Sequence, residues 1–113
     1  MNNQPRKRPN VTSGKTYKIV TGCGNLYVTV NRDNDGLCEV FAHLGKSGQC
    51  GAAQIEAICR SVSIGLRSGV SPDTYIDQLD GIRCPSSAIT NDVEILSCAD
   101  GIAQALQLEK EKQ

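Results

Sequence analysis

From Lys15 onward the apolar positions fall with period two. In KTYKIVTG, Tyr17 and Ile19 share one face; in NLYVTVNR, Leu26, Val28 and Val30 do. Both segments are rich in β-branched and aromatic residues, which suit a half-buried pleated strand. Between them TGCG supplies Gly22 and Gly24 for a tight turn. Asp33 to Gly36, DNDG, signals a hairpin, because Asp-Gly tolerates the positive φ angles of such turns. LCEVFAHL follows as a third strand, so the pattern predicts an antiparallel meander.

The period then changes. Gly45-Lys46-Ser47-Gly48 breaks the alternation, and GAAQIEAICRSVSIGLRSG repeats apolar residues at helical spacing. Ile55, Ile58, Cys59, Val62 and Leu66 form its stripe, with Gln54, Glu56, Arg60 and Arg67 off it and Gly69 placed to end it. Ser71-Pro72 restarts the chain as cap plus first-turn proline, giving a short helix PDTYIDQL closed by Asp80-Gly81. IRCPSS reads as a loop, since Pro85 keeps Cys84 out of helical geometry, and DVEIL as a brief strand. Ser97 caps a last helix from about Cys98 that turns Ile102, Ala103 and Leu106 inward. Strands first and helices after predict an α+β fold. It is a small antiparallel meander of three to four strands, followed by two to three helices packed on one face. The domain is expected over 15–108, between a mobile polar tail, 1–14, and a charged end, 109–113.

Composition sharpens this picture in two ways. The 113 residues contain no Trp and one Phe, Phe41, so the core must be built from Val, Ile, Leu and Ala. A core that thin in one small domain commonly needs a disulfide, a metal or a partner chain. Charge excludes more than it suggests: 12 Lys and Arg balance 12 Asp and Glu, which argues against binding nucleic acid or membranes by bulk electrostatics. No apolar run is long enough for a bilayer, and MNNQPRKRPN has no apolar stretch to act as an export signal. The expectation is a soluble, cytoplasmic protein. Arg6, Lys7 and Arg8 suit a weak contact with a nucleic-acid backbone, against the ordinary reading of solvated charges.

Six cysteines in a chain without an export signal should be reduced, which favours metal binding, redox chemistry or burial. Cys38 in a strand and Cys59 on the helix stripe read as small buried hydrophobes. Cys23, Cys50, Cys84 and Cys98 instead sit at junctions: a turn, a helix start, a loop and another helix start. Four thiolates are a ligand set for tetrahedral Zn²⁺, which would cross-link a core poor in aromatics. No Cys-x-x-Cys pair is present, so such a site would be assembled by the tertiary fold and not by a finger or ribbon. Redox exchange competes with it, because helix starts at Cys50 and Cys98 favour the thiolate.

Other candidate chemistry is thinner. Lys46, Ser47 and Gly48 at a helix entrance suit an anion but lack the spacing of a Walker loop. Arg60, Arg67 and Arg83 add cations, which are equally able to pair with Glu56, Asp77 and Asp80. His43, the only histidine, has no identifiable triad partner, and no carboxylate pair suggests acid–base catalysis.

Taken together, GKTYKIVTGCGNLYVTVNRD, EVFAHLGKSGQCGAAQIEAICRSVSIGLRSG, QLDGIRCP and LSCADGIAQAL resemble the TSCPD domain family, from about Arg8 to Leu106. The naming motif Thr-Ser-Cys-Pro-Asp stands here as Leu96-Ser97-Cys98-Ala99-Asp100, without the Thr and Pro. The resemblance implies family cysteines at Cys23, Cys50, Cys84 and Cys98 but not at Cys38 or Cys59, the same division the junctions suggest. It also implies kinship with the C-terminal region of adenosylcobalamin-dependent ribonucleotide reductases, whose catalysis takes place in a large barrel that this chain does not contain. The expectation is therefore a zinc-stabilised, non-catalytic module serving a ribonucleotide reductase. A binder of a nucleotide or nucleotide-derived signal and a thiol-exchange partner of the reductase are the alternatives. The apolar stripe of the long helix further suggests a homodimer.

Overall fold

The computed structural model describes residues 4–45, 49–85, 88–90 and 93–111, the side chains of Gln49, Cys50, Ala88, Thr90, Val93 and Glu111 excepted. Strands β1 (Ser13–Thr21), β2 (Gly24–Asp33) and β3 (Gly36–Leu44) form an antiparallel meander in the order β1-β2-β3. Helices α1 (Gln49–Arg67) and α2 (Pro72–Leu79) follow, then β4 (Ala88–Thr90), β5 (Val93–Ile95) and helix α3 (Cys98–Glu111). The α+β expectation holds. The brief strand expected in DVEIL exists, but it pairs with β4 in a separate two-stranded ribbon instead of extending the meander.

Both hairpin turns close where the glycines predict. Thr21 pairs with Gly24 and Asp33 with Gly36, and the two glycines adopt φ of 125° and 129°, which side-chain-bearing residues rarely reach. Register places Ile19, Leu26 and Leu44 in one row and Tyr17, Val28 and Ala42 in the next, all on the covered face. Alternation fails around one irregularity, where Val30 and Asn31 of β2 are both buried. A bulge opposite Asn31 and Arg32 gives β3 an extra residue, so the neighbours Leu37 and Cys38 are both buried.

Helix α1 covers the outer edge of β3, using three side chains one turn apart. Cys59 faces the backbone amide of Ala42. The Ser63 hydroxyl accepts the Val40 N–H and donates to the Val40 carbonyl, each at 3.0 Å. An Arg67 nitrogen donates to the Cys38 carbonyl at 3.1 Å. Four helical residues advance about 6 Å and two strand residues about 6.8 Å, so the spacings match along the edge. This protects an edge that would otherwise invite pairing with another chain. Ile55, Cys59, Val62 and Leu66 are buried within the chain, so the stripe expected to drive self-association is not free to do so. Cys38 and Cys59 are core residues as expected, and burial pushes the Cys59 thiol up to about 11.

Helix α3 crosses β1 and β2 on the covered face, and α2 packs on α3. Gly101 permits the close approach, since a Cβ there would stand 3.1 Å from Leu26 Cδ2 and 3.3 Å from Ile19 Cγ2. Ile102 and Leu106 are fully buried beneath it. Glu109, expected in the charged end beyond the domain, is instead part of it. It is buried, accepts the Tyr17 hydroxyl at 2.6 Å, and receives Arg32 Nη2 at 2.8 Å and Nε at 3.0 Å. It continues the inward stripe of Ile102 and Leu106 by three residues, and that spacing was the readable signal.

The polar tail is corrected in the same way. Ser13 and Gly14 already belong to β1, and Arg6 is tied to the domain. Its Nε and Nη2 bond the Asp33 carboxylate at 2.7 and 3.0 Å, while Nη1 and Nη2 reach the Leu66 and Leu37 carbonyls. Arg8 bonds Glu39 at 2.8 Å, leaving exposed Lys7 as the member of the cluster without an ion pair among the described residues.

Two variants test these contacts. Ser63→Ala leaves the Val40 amide and carbonyl unpaired and should cost about 1–3 kcal/mol in urea unfolding, lowering the midpoint with the slope unchanged. Glu109→Gln should cost about 1.5–3 kcal/mol at pH 7. Burial pushes the Glu109 carboxyl up, but the Tyr17 hydroxyl and the Arg32 guanidinium outweigh it and hold the group below its ordinary value. Its contribution is therefore complete above the unfolded-state value of about 4.3 and is lost as pH falls through the depressed folded value. The gap between wild type and variant should narrow in unfolding curves recorded at pH values progressively below that unfolded-state value of about 4.3.

Candidate functional site

The start of α3 meets two other bends of the chain. Cys98 opens the helix, Cys23 sits in the β1–β2 turn, and Cys84 lies in the segment leaving α2. The Cys98 sulfur is within hydrogen-bonding reach of Cys23 and Thr21 and within electrostatic range of Cys84. Cys23 and Cys98 are thus neighbours, and Cys84 lies within electrostatic range of Cys98. The side chain of Cys50, the fourth, lies outside the described residues.

Local hydrogen bonding accounts for each placement. Thr21 is buried; its hydroxyl accepts the Cys23 N–H at 3.1 Å and donates to the Gly24 carbonyl at 2.8 Å, closing a knuckle around Cys23. Ser97 caps α3, its hydroxyl accepting the Asp100 N–H at 3.0 Å. The Cys84 N–H donates to the Leu96 carbonyl at 2.9 Å, which draws the exit of α2 beside the start of α3. Thr21 escapes a sequence reading because an alternating strand shows no sign that its last side chain turns back to bond the turn.

Burial pushes the Cys98 thiol up, the neighbouring Cys23 and Cys84 add to this, and only Thr21 acts against it. This runs against the expectation of a reactive thiolate at that helix start, since half-burial among sulfurs disfavours the charged form. A cation would reverse the balance, because thiols crowded together ionise readily only around a positive charge. As described, the side chains do not form a closed ligand set: among the described residues no group of three or more His, Cys, Asp or Glu is arranged to hold a metal ion. Three soft sulfur donors at a half-buried junction nevertheless have the donor chemistry that zinc takes.

The cation cluster fares differently. Lys46, Ser47 and Gly48 lie outside the described residues. Arg60 is paired with Glu56 at 2.8 Å on the exposed face of α1, and Arg67 is engaged with β3. Arg60 and Arg67 do line one groove of about 740 Å³ between α1 and β3, with Arg8, Glu39, Phe41 and His43. Arg83 is exposed on the segment after α2 and is not part of that lining. His43 stacks on Tyr27 with ring centroids 5.4 Å apart. Among the described residues no helix is long and apolar enough to cross a membrane.

Comparison with known proteins supplies the family. A vitamin B12-dependent ribonucleotide reductase of Streptomyces clavuligerus is 32% identical over 109 residues, covering 93% of this chain and 11% of that protein. Its counterpart in Streptantibioticus cattleyicolor is 33% identical over 92 residues, covering 80% and 15% respectively. That in Bradyrhizobium diazoefficiens is 35% identical over 72 residues, covering 63% and 6%. The chain thus spans only a small part of the length of these relatives. No solved structure gives a significant match. The TSCPD domain model matches residues 3–110, so it takes in the N-terminal arginines as well as all of the cysteine-bearing bends, and the chain belongs to the TSCPD domain family.

Proposed function

We propose that the chain is a non-catalytic TSCPD module, held together by a structural zinc ion and serving a ribonucleotide reductase. Cys23, Cys84 and Cys98, with Cys50 as the fourth ligand, would hold the metal. The observation that supports this reading is the approach of Cys23 to Cys98 at the first turn of α3, with Cys84 in electrostatic range. A bound zinc ion would supply a cross-link among those bends, in a core without a Trp and with its one Phe 47% exposed. The link to ribonucleotide reduction is supported by the names of the relatives given above, which are vitamin B12-dependent ribonucleotide reductases. Thiolate ligands must stay reduced, which suits the cytoplasm.

A second reading rests on the groove between α1 and β3. Arg60, Arg67 and His43 around the half-exposed ring of Phe41 offer cations and a stacking surface to a nucleotide. Thiol exchange has less support, since burial and the neighbouring sulfurs disfavour the Cys98 thiolate.

Metal analysis of untagged protein purified under reducing conditions decides the first reading, with one zinc per chain expected. Stripping the zinc with a chelator should lower Tm by about 10 °C or more. Cys84→Ser and Cys98→Ser should lose the metal, whereas Cys38→Ala and Cys59→Ala should keep it. Protein that carries no zinc and takes up none from solution would end the proposal. A Tm that rises with added nucleotide and falls back in Arg67→Ala would support the second reading instead.

A further inference from the structure

We infer that Asp100 positions Cys84 against Cys98 and so governs the metal affinity of the thiol site without touching its occupant; the inference rests on the zinc reading above. Asp100 is buried, at 6% exposure, near the start of α3. A carboxylate in a first helical turn is ordinarily explained by the helix dipole. Here both oxygens are committed to backbone outside the helix. Oδ1 accepts the Gly81 N–H at 2.9 Å, and Oδ2 accepts the Leu96 N–H at 2.8 Å.

Those two amides bracket the cysteine segment. Gly81, at φ 83°, turns the chain out of α2 three residues before Cys84. Leu96 holds Cys84 directly, its carbonyl accepting the Cys84 N–H. Leu96 is thereby gripped on both sides, by Asp100 through its amide and by Cys84 through its carbonyl. The carboxylate thus binds the incoming and outgoing ends of the Gly81–Leu96 excursion to the helix that begins with Cys98. Ser97 already caps that helix, so Asp100 is left to hold the excursion. Supporting groups around metal ligands act in this way, fixing ligand orientation and not charge at the metal.

The test compares two buried carboxylates of the same helix. Asp100→Asn keeps one acceptor and turns an amide donor towards an N–H, whereas Glu109→Gln loosens the far end of α3, remote from the cysteines. Zinc affinity is measured by competition with a chromophoric chelator, at a temperature where circular dichroism shows every protein folded. Asp100→Asn should weaken zinc binding about 10- to 100-fold, and Glu109→Gln by less than about threefold, although both lower Tm. In the metal-free protein, hydrogen exchange at Gly81, Cys84 and Leu96 should accelerate in Asp100→Asn alone. If Asp100→Asn does not fold, Asp100→Glu, which keeps the charge but shifts it by one methylene, should lose affinity in the same sense. Unchanged affinity in the folded Asp100 variant, or equal losses in the Asp100 and Glu109 variants, overturns the inference and leaves the zinc reading standing. Absence of zinc from the wild-type protein overturns that reading and this inference together.

Discussion

Helix α3 is anchored at both ends, and most of the molecule depends on that. At its start Ser97 and Asp100 bind it to the exit of α2 and the end of β5. At its far end Glu109 is locked by Tyr17 of β1 and Arg32 of β2. Between these clamps Gly101 lets the backbone descend onto Leu26 and Ile19, and Ile102 and Leu106 fill the space beneath. A helix fixed at two points can neither slide nor rotate on the sheet. Its first residue, Cys98, is therefore delivered to a defined place beside the Cys23 knuckle.

Buried polar side chains do work that aromatic bulk does in other small domains. Ser63, Thr21, Asp100 and Glu109 are all nearly inaccessible, and among the described residues no buried side-chain nitrogen or oxygen lacks a partner. Each joins elements distant in the chain or closes a bend. Directional bonds specify register where an aliphatic core of Val, Ile and Leu would tolerate several packings. Arg6 extends the same logic to the N-terminal segment, clamping the β2–β3 turn to the end of α1.

Two chemical surfaces result, and they differ in how far the fold commits them. Around Cys98 the backbone of three separate segments is held by specific hydrogen bonds, and the side chains that converge are of one chemical kind. Along the α1–β3 groove, Arg8 and Arg60 already have carboxylate partners and Arg67 serves the edge of β3. Cations so engaged have less to offer an incoming phosphate. That difference is why the thiol junction is the site proposed first.

Local pattern was enough to read most of the secondary structure. Alternation and glycine chemistry located the meander and its turns, and the Ser71-Pro72 and Ser97 signals marked two helix starts, because each depends only on residues a few positions apart. That Cys38 and Cys59 belong to the core, and Cys23, Cys84 and Cys98 to bends, was legible for the same reason. Strand β4 was not, since a three-residue strand exists only by virtue of its partner β5. Nor could the composition of the tail and the charged end show that Arg6 and Glu109 are built into the domain, because their partners lie 27 and 92 residues away. What the amino-acid order determined by itself was the set of elements and which side chains each could turn inward. The tertiary structure alone decided which bends meet, since setting Cys23 beside Cys98 and tying the Cys84 backbone to Leu96 depends on long-range burial and hydrogen bonds that no short stretch of chain encodes.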